Sequence, residues 1–262
     1  SDEEEEVGND DKIIDVTTND FKCYRVINNE RVLLRKERKV LFPVDPISGD
    51  PILIVQLRSK RNYERIHVEC RLIKGEGSLH ACFSPVCVAV LTDENEDETE
   101  NEIFKMKIET IGRWHKASDI FIKACNVLDD KFNHLQAALK SDSTEKIVFK
   151  PFHGKYPAYD IEFSDEDDTL GNLLQDSIYR SVTDWKSDDK EITFVAYKIP
   201  HPLKKIMVLR ISLKLDQDIY SEDYKYKVKE LLKKHIDILQ KKNQDIKLTF
   251  EDFVKEKLSS KH

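Results

Sequence analysis

The chain has 262 residues, 39% of them apolar and 35% charged, and its net charge is -7. That length suits two modest domains or one elaborated one, with enough apolar residues for a core under a highly charged surface. An acidic chain is a poor holder of a nucleic-acid backbone on its own, no apolar run reaches membrane-spanning length, and the acidic opening is unlike a signal peptide. The cysteines are Cys23, Cys70, Cys82, Cys87 and Cys125, an odd number with no C-x-x-C pair. They point to a reduced, intracellular protein without a structural zinc site.

Residues 1–12 read as an acidic, disordered tail. Phe21 to Val26 and Val32 to Leu34 are short strands joined at the turn dipeptide Asn28-Asn29. Leu41 to Asp50, L-F-P-V-D-P-I-S-G-D, is a turn-rich link. Ile52 to Leu57 is a strand and Arg58 to Arg65 a basic, solvated loop. Ile66, Val68, Cys70 and Leu72 then alternate with His67, Glu69 and Arg71, which predicts a half-buried antiparallel strand over Ile66 to Ile73.

Gly75 to Pro85 reads G-E-G-S-L-H-A-C-F-S-P and precedes a strand over Val86 to Leu91. It lacks Gly-Lys-Ser/Thr, and a strand follows where a phosphate loop would start a helix. His80 and Cys82 share one face of an extended segment, yet no acid is placed to orient the histidine. Cys82 with Cys87 is a poor ligand pair, so the stretch is read as packing and backbone fixing. Thr92 to Asn101 is an acidic excursion marking a domain crossing. Phe104 to Ile108 alternates Phe, Met and Ile inward as a strand. Ala117 to Ala138 is a long helix capped by Ser118, with Phe121, Cys125, Leu128, Phe132, Leu135 and Leu139 as its apolar stripe.

A second unit opens near Glu145, with strands over Ile147 to Phe149 and Ala158 to Phe163. The stretch Ser164 to Leu174, S-D-E-D-D-T-L-G-N-L-L, then starts a helix running to Ser181. Thr169 or Asp168 caps it, and Asp165 to Asp168 place negative charge at its positive end. Leu170, Leu173, Leu174 and Ile178 recur at helical spacing. Gly171 in the first turn costs about 1 kcal/mol against alanine, which implies something packed close against the backbone. Ile192 to Lys198 is a strand, ended by Pro200 and Pro202, which lack backbone donors. Ile206 to Leu213 is the next strand. Tyr224 to Leu239 is a second long helix, and the tail adds a short helix over Phe250 to Leu258. The fold class is α+β, with helices on one sheet face. The first unit also ends in a strand and a long helix, so the chain reads as two related halves.

E166-D-D-T-L-G-N-L-L174 followed by V195-A-Y-K-I-P-H-P-L203, a strand and a long helix resembles the small assembly subunit of multisubunit RNA polymerases. In polymerase II this is the eleventh subunit, with an archaeal L relative. The family pattern is roughly E-D-x-T-L-G-N-L, then G-Y-x-x-P-H-P-L, and Ala196 stands where glycine is usual. The first half resembles the larger partner, the third subunit and its archaeal D relative. That likeness is carried by L41-F-P-V-D-P-I-S-G-D-P-I-L-I-V-Q-L57, I66-H-V-E-C70, G75-E-G-S-L-H-A-C-F-S-P-V86 and F104-K-M-K-I-E-T-I-G112. The partner's opening dimerisation helix and its optional cysteine-ligated metal site find no counterpart. Fused versions are similar to those of large nucleocytoplasmic DNA viruses.

The resemblance implies two RNA polymerase alpha-like dimerisation units, the first incomplete and carrying a mostly β insert domain. The implied division is an acidic tail over 1–12, the insert over 13–101, and the strand and long helix of the first dimerisation unit over 102–142. The eleventh-subunit-like domain spans 143–241, and a C-terminal tail spans 242–262. It implies a non-catalytic assembly platform that docks the two large catalytic subunits and a small assembly subunit. A separate chain or segment would supply the front of the first half. Little or no direct DNA contact, no membrane, no cofactor, no metal and no catalytic residue are implied. The location implied is the site of transcription: virion and host cytoplasm for a viral chain, nucleus otherwise. Leu170, Gly171, Asn172 and Leu173 are assigned to a pseudo-dimer or large-subunit junction. Pro200, His201, Pro202 and Leu203 are assigned to the loop before the next strand, and His80, Phe83 and Pro85 to fixing the insert against a large subunit. Two other readings are an interaction scaffold unrelated to transcription and an enzyme holding a divalent metal at Asp165 to Asp168; a helix start explains that acidic run better.

Overall fold

The computed structural model describes residues 12–34, 38–59, 64–93, 104–112, 115–141, 146–152, 154, 157–183, 191–201, 203–214 and 220–259. Most of the acidic tail, residues 60–63 of the basic loop, the acidic stretch from 94 and Pro202 lie outside them. The chain divides into two compact units, 1–120 and 121–262.

The first unit is built of paired ribbons. Strands β1 (Lys12–Thr17) and β4 (Leu53–Ser59) run antiparallel, as do β2 (Cys23–Ile27) and β3 (Glu30–Leu34), and β5 (Val86–Asp93) and β6 (Phe104–Thr110). Asn28 and Asn29 both adopt positive φ, 51° and 66°, the left-handed pair that a two-residue hairpin turn requires. A one-turn helix, α1 (Arg38–Leu41), leads into the turn-rich link. There the Asp45 carboxylate accepts from the amides of Ile47 (2.8 Å) and Ser48 (3.0 Å), and Gly49 takes φ 76°.

The alternating stretch Ile66 to Ile73 forms no strand. Its described neighbours offer no ladder, and alternation alone cannot supply the partner whose N–H and C=O groups a strand must meet. It is exposed, and an Arg31–Glu69 ion pair ties it to β3.

The second unit holds a four-stranded antiparallel sheet in the order β7 (Ile147–Phe152), β8 (Ala158–Ser164), β10 (Ile206–Leu213), β9 (Ile192–Lys198). Side chains alternate across it. Tyr159, Ile161 and Phe163 of β8 and Met207, Leu209 and Ile211 of β10 join one core with residues of three helices. These helices are α2 (Ala117–Lys140), α3 (Asp168–Thr183) and α4 (Glu222–Ser259). Phe132 and Leu139 come from α2, Leu174 and Ile178 from α3, and Val228, Leu232 and Ile236 from α4. Each fully buried side chain of this kind contributes about 1.5–3 kcal/mol. The other sheet face mixes charged residues with apolar ones such as Val208 and Phe152. Arg210 forks onto Asp160 at 2.6 and 2.8 Å and lies over the Phe152 ring, while Lys150 pairs with Glu162 at 2.7 Å.

Two helix expectations are corrected. Ser118 is not the cap of α2: the helix starts at Ala117, and Lys116 O accepts from the amides of Asp119 and Ile120. The second long helix does not stop at Leu239 and restart at Phe250. It runs unbroken for 38 residues, about 57 Å at 1.5 Å per residue. No glycine or proline interrupts the polar stretch from Gln240 to Lys247. That stretch packs through polar groups: Asn243 is buried, and its amide donates to Cys125 O (2.8 Å) and Asp129 Oδ1 (2.9 Å). Gln240 donates to Asn133 (2.9 Å), and the Phe121 and Phe250 rings meet at 4.5 Å. These contacts run in opposite directions along α2 and α4, so the helices are antiparallel.

His235 is a buried polar tie between α4 and α3. Its Nδ1 lies 2.9 Å from Ser177 Oγ and its Nε2 3.4 Å from Ser181 Oγ. Ser181 gives its one hydroxyl proton to Ile178 O at 2.7 Å. It therefore accepts from His235 Nε2–H, and Ser177 donates to Nδ1.

Asn243→Ala leaves the polar groups it served without its amide and lowers unfolding stability by about 1–3 kcal/mol; a urea midpoint unchanged from the parent would contradict this. Burial, with Asp129 beside it, pushes the Cys125 thiol up. An unfolded thiol ionises near about pH 8.5, while the folded one stays neutral to higher pH. Stability is thus constant below that point and falls as pH rises through the window above it. Cys125→Ala flattens this alkaline slope in pH-dependent melts.

Candidate assembly surface

The two motifs of the second unit meet through one aromatic ring. The α3 helix is capped one residue earlier than expected: the amide of Thr169 donates to Asp167 Oδ1 at 3.0 Å. Asp165, with φ 63°, turns the chain before it, and its amide donates to Lys205 O at 2.8 Å. On α3, residues 170, 174, 177 and 178 face the core. Residues 168, 171, 172 and 175 form the adjacent stripe at helical spacing, and this stripe receives Tyr197 of β9. A Cβ at Gly171 would sit 2.3 Å from the Tyr197 ring, so the glycine is required by close approach. The Tyr197 amide donates to Gln175 Oε1 at 3.0 Å. Desolvation of the ring, then the hydrogen bond to Asp168, pushes the Tyr197 phenol up.

The acidic run is thereby accounted for. Asp167 caps the helix, Asp168 holds Tyr197, and Glu166 pairs with Lys131 of α2 at 2.8 Å. Among the described residues no group of three or more His, Cys, Asp or Glu is arranged to hold a metal ion, and no helix is long and apolar enough to cross a membrane.

The predicted partner residues separate into two kinds. Leu170 and Gly171 are buried, Leu173 is half-buried against the core and Asn172 is exposed. Pro200 and His201 are exposed, and Leu203 keeps 87% of its surface open to solvent. Pro202 lies outside the described residues. His201 fixes its own loop, since its Nδ1 accepts from the Leu203 amide at 3.1 Å, and the proton of the neutral ring therefore sits on Nε2. The Asp165–Lys205 hydrogen bond links the start of α3 to the end of this loop, so the two motifs share one end of the unit.

The first unit repeats this chemistry in its own terms. His80 Nδ1 accepts from the Cys82 amide at 3.1 Å. The half-buried Phe83 ring covers Gly75, where a Cβ would meet it at 2.5 Å. Pro85 is exposed, and its carbonyl accepts from the Ile111 amide at 3.0 Å. Both histidines act as backbone caps. In both units an aromatic ring rests on a glycine.

Tyr197, Gln175 and Lys131 were not identified from sequence as parts of this arrangement. The signal was Gly171, whose cost implied a close neighbour without naming it. Gly171→Ala improves helix propensity by about 1 kcal/mol, yet the ring clash makes it destabilising by about 1–3 kcal/mol net. The loss is smaller in a Tyr197→Leu background. Equal losses in both backgrounds, measured by urea unfolding of all four proteins, would break the assignment.

No curated protein matches the chain. Residues 158–249, which span β8 to β10, α3 and most of α4, match the family model described as the RNA polymerase Rpb3/Rpb11 dimerisation domain, and this supports an alpha-like RNA polymerase subunit.

Proposed function

We propose that this chain is a non-catalytic assembly-platform subunit of a DNA-directed RNA polymerase. The observation that carries the reading is the dimerisation-domain match over residues 158–249, on a unit whose Tyr197–Gly171 contact joins the motifs that carry the resemblance. In this proposal the halves of the chain act as an alpha-like pseudo-dimer. Holding both in one polypeptide replaces a bimolecular encounter with an intramolecular one at high effective concentration. The platform docks the two large catalytic subunits and a small assembly subunit, and works where transcription occurs: virion and host cytoplasm for a viral chain, the nucleus otherwise.

The buried motif residues then have a shaping role and the exposed ones a contacting role. Leu170, Gly171 and Leu173 set the position of α3, while Asn172, Pro200, His201 and Leu203 present a surface for a large subunit. His80, Phe83 and Pro85 fix the corresponding loop of the insert. An apolar Leu203 held out in solvent at a backbone-capped turn suits insertion into a partner pocket.

The test is co-purification of the tagged full chain from its native source through a sizing column. The expected result is recovery with two very large subunits and template-dependent RNA synthesis. Recovery alone or with unrelated partners overturns the reading in favour of a general interaction scaffold. Leu203→Asp is expected to reduce that recovery at least about tenfold, the effect of losing one well-placed anchor, with the melting temperature of the isolated chain unchanged.

A further inference from the structure

The turn ahead of α3 binds three different elements through three consecutive residues. The Asp165 amide donates to Lys205 O at 2.8 Å, where the loop that carries Leu203 ends. The Glu166 carboxylate takes Lys131 Nζ of α2 at 2.8 Å. The Asp167 carboxylate caps α3 through the Thr169 amide at 3.0 Å. Asp165 holds φ 63°, a left-handed conformation uncommon in residues that carry a side chain. It persists because its surroundings hold it there. The middle tie is a sheltered one: the Glu166 side chain is 13% exposed, against 28% for Glu162 in its pair with Lys150. A partly buried pair is screened less by salt than an exposed one.

The loop beyond this turn is braced from within. His201 Nδ1 accepts from the Leu203 amide at 3.1 Å, His201 O from the Lys204 amide at 3.0 Å and Lys204 O from the Ile206 amide at 2.7 Å. These bonds give the loop its shape. The Asp165–Lys205 bond ties that shape to the α3 turn, and Lys131 ties the turn to α2. Phe132, next to Lys131, is buried in the core, so the seating of α2 sets where Lys131 lies. The path from α2 to Leu203 is therefore contiguous: Lys131, Glu166, the Asp165 amide, Lys205 and the capped loop.

We infer that Glu166 is a positioning residue that makes the placement of the Leu203 loop conditional on the seating of α2. With α2 seated, Lys131 holds the carboxylate, the turn keeps its left-handed residue and Lys205 stays bound. With α2 displaced, a largely buried carboxylate loses its cation. The turn rearranges to return that charge to water, and the bond to Lys205 opens. The coupling is reciprocal, so whatever binds the loop in this placement also tightens α2. A pair that merely held α2 to the core would leave the loop alone. The inference extends the platform reading and rests on it for its purpose. In that reading α2 comes from the first half, so the surface offered to a large subunit is complete only once the two halves have paired, which fixes an order of assembly.

The test is residue-resolved amide hydrogen exchange on the full chain, with the Asp165 and Leu203 amides as reporters of the turn and the loop and the Leu209 amide of β10 as reporter of the core. Lys131→Met keeps the apolar stem and removes the charge; Glu166→Gln keeps the shape and removes the carboxylate. In each variant the Asp165 and Leu203 amides are expected to speed up at least about threefold more than the Leu209 amide. The double variant should match either single one, because both remove the same tie. Lys150→Met, which breaks an ion pair on the other sheet face, should leave both reporters at the parent rate. Three outcomes overturn the inference: unchanged reporters in both single variants, equal acceleration of all three amides, or effects that multiply in the double variant. The measurement uses the chain alone, so each of these would leave the polymerase reading standing. Failure of the chain to co-purify with polymerase subunits would remove that reading and leave the coupling in place.

Discussion

An antiparallel sheet with one apolar face must have that face covered, and the second unit depends on meeting this demand. Met207, Leu209 and Ile211 of the central strand β10 are fully buried because three helices close over them. Polar contacts within the unit adjust those helices against the sheet. Tyr197 rests on Gly171 to set α3, Tyr224 OH accepts from the Leu213 amide to pin the start of α4 to the end of β10, and Asn243 aligns α4 with α2. These polar ties add little net energy next to the core, about 1 kcal/mol each. Their effect is to select one arrangement of helices that apolar packing alone would leave free to slide.

The first unit faces the same demand and meets it differently. All the buried apolar side chains among the described residues lie between Cys125 and Leu239; in the first unit the buried residue is Thr18. Its ribbons are held by local chemistry: the Asn28-Asn29 turn, the Asp45 turn, and the caps by His80 and by Thr17, which accepts from the Asn19 amide at 3.2 Å. Local order of this kind is set by neighbouring residues, and it leaves exposed apolar surface available to other molecules.

The acidic run before α3 illustrates how charge can mislead. Four consecutive acids next to a helix start suggest a cation site when read alone. Asp167, Asp168 and Glu166 instead serve a cap, a tyrosine and a lysine. The histidines of both motifs are likewise committed through Nδ1 to backbone amides two residues on. Chemistry-bearing residue types here act structurally.

Much of the second unit was determined by sequence alone. The alternation of Tyr159, Ile161 and Phe163 in β8, the helical spacing of Leu170, Leu174 and Ile178, and the prolines that end the strand before Pro200 are local signals, and they located the elements and the α+β class. Gly171 even announced a close neighbour. The identity of that neighbour, Tyr197, was decided only in three dimensions, because the two residues meet through β9 pairing and helix packing. Tertiary structure also decided that α4 runs on through a polar stretch, since Asn243 gains its partners from α2, more than a hundred residues away in sequence. It decided against a strand at Ile66 to Ile73, where the period was present and the ladder was not. A sequence carries the pattern of each face; whether a face finds its complement depends on contacts between segments that no local pattern encodes.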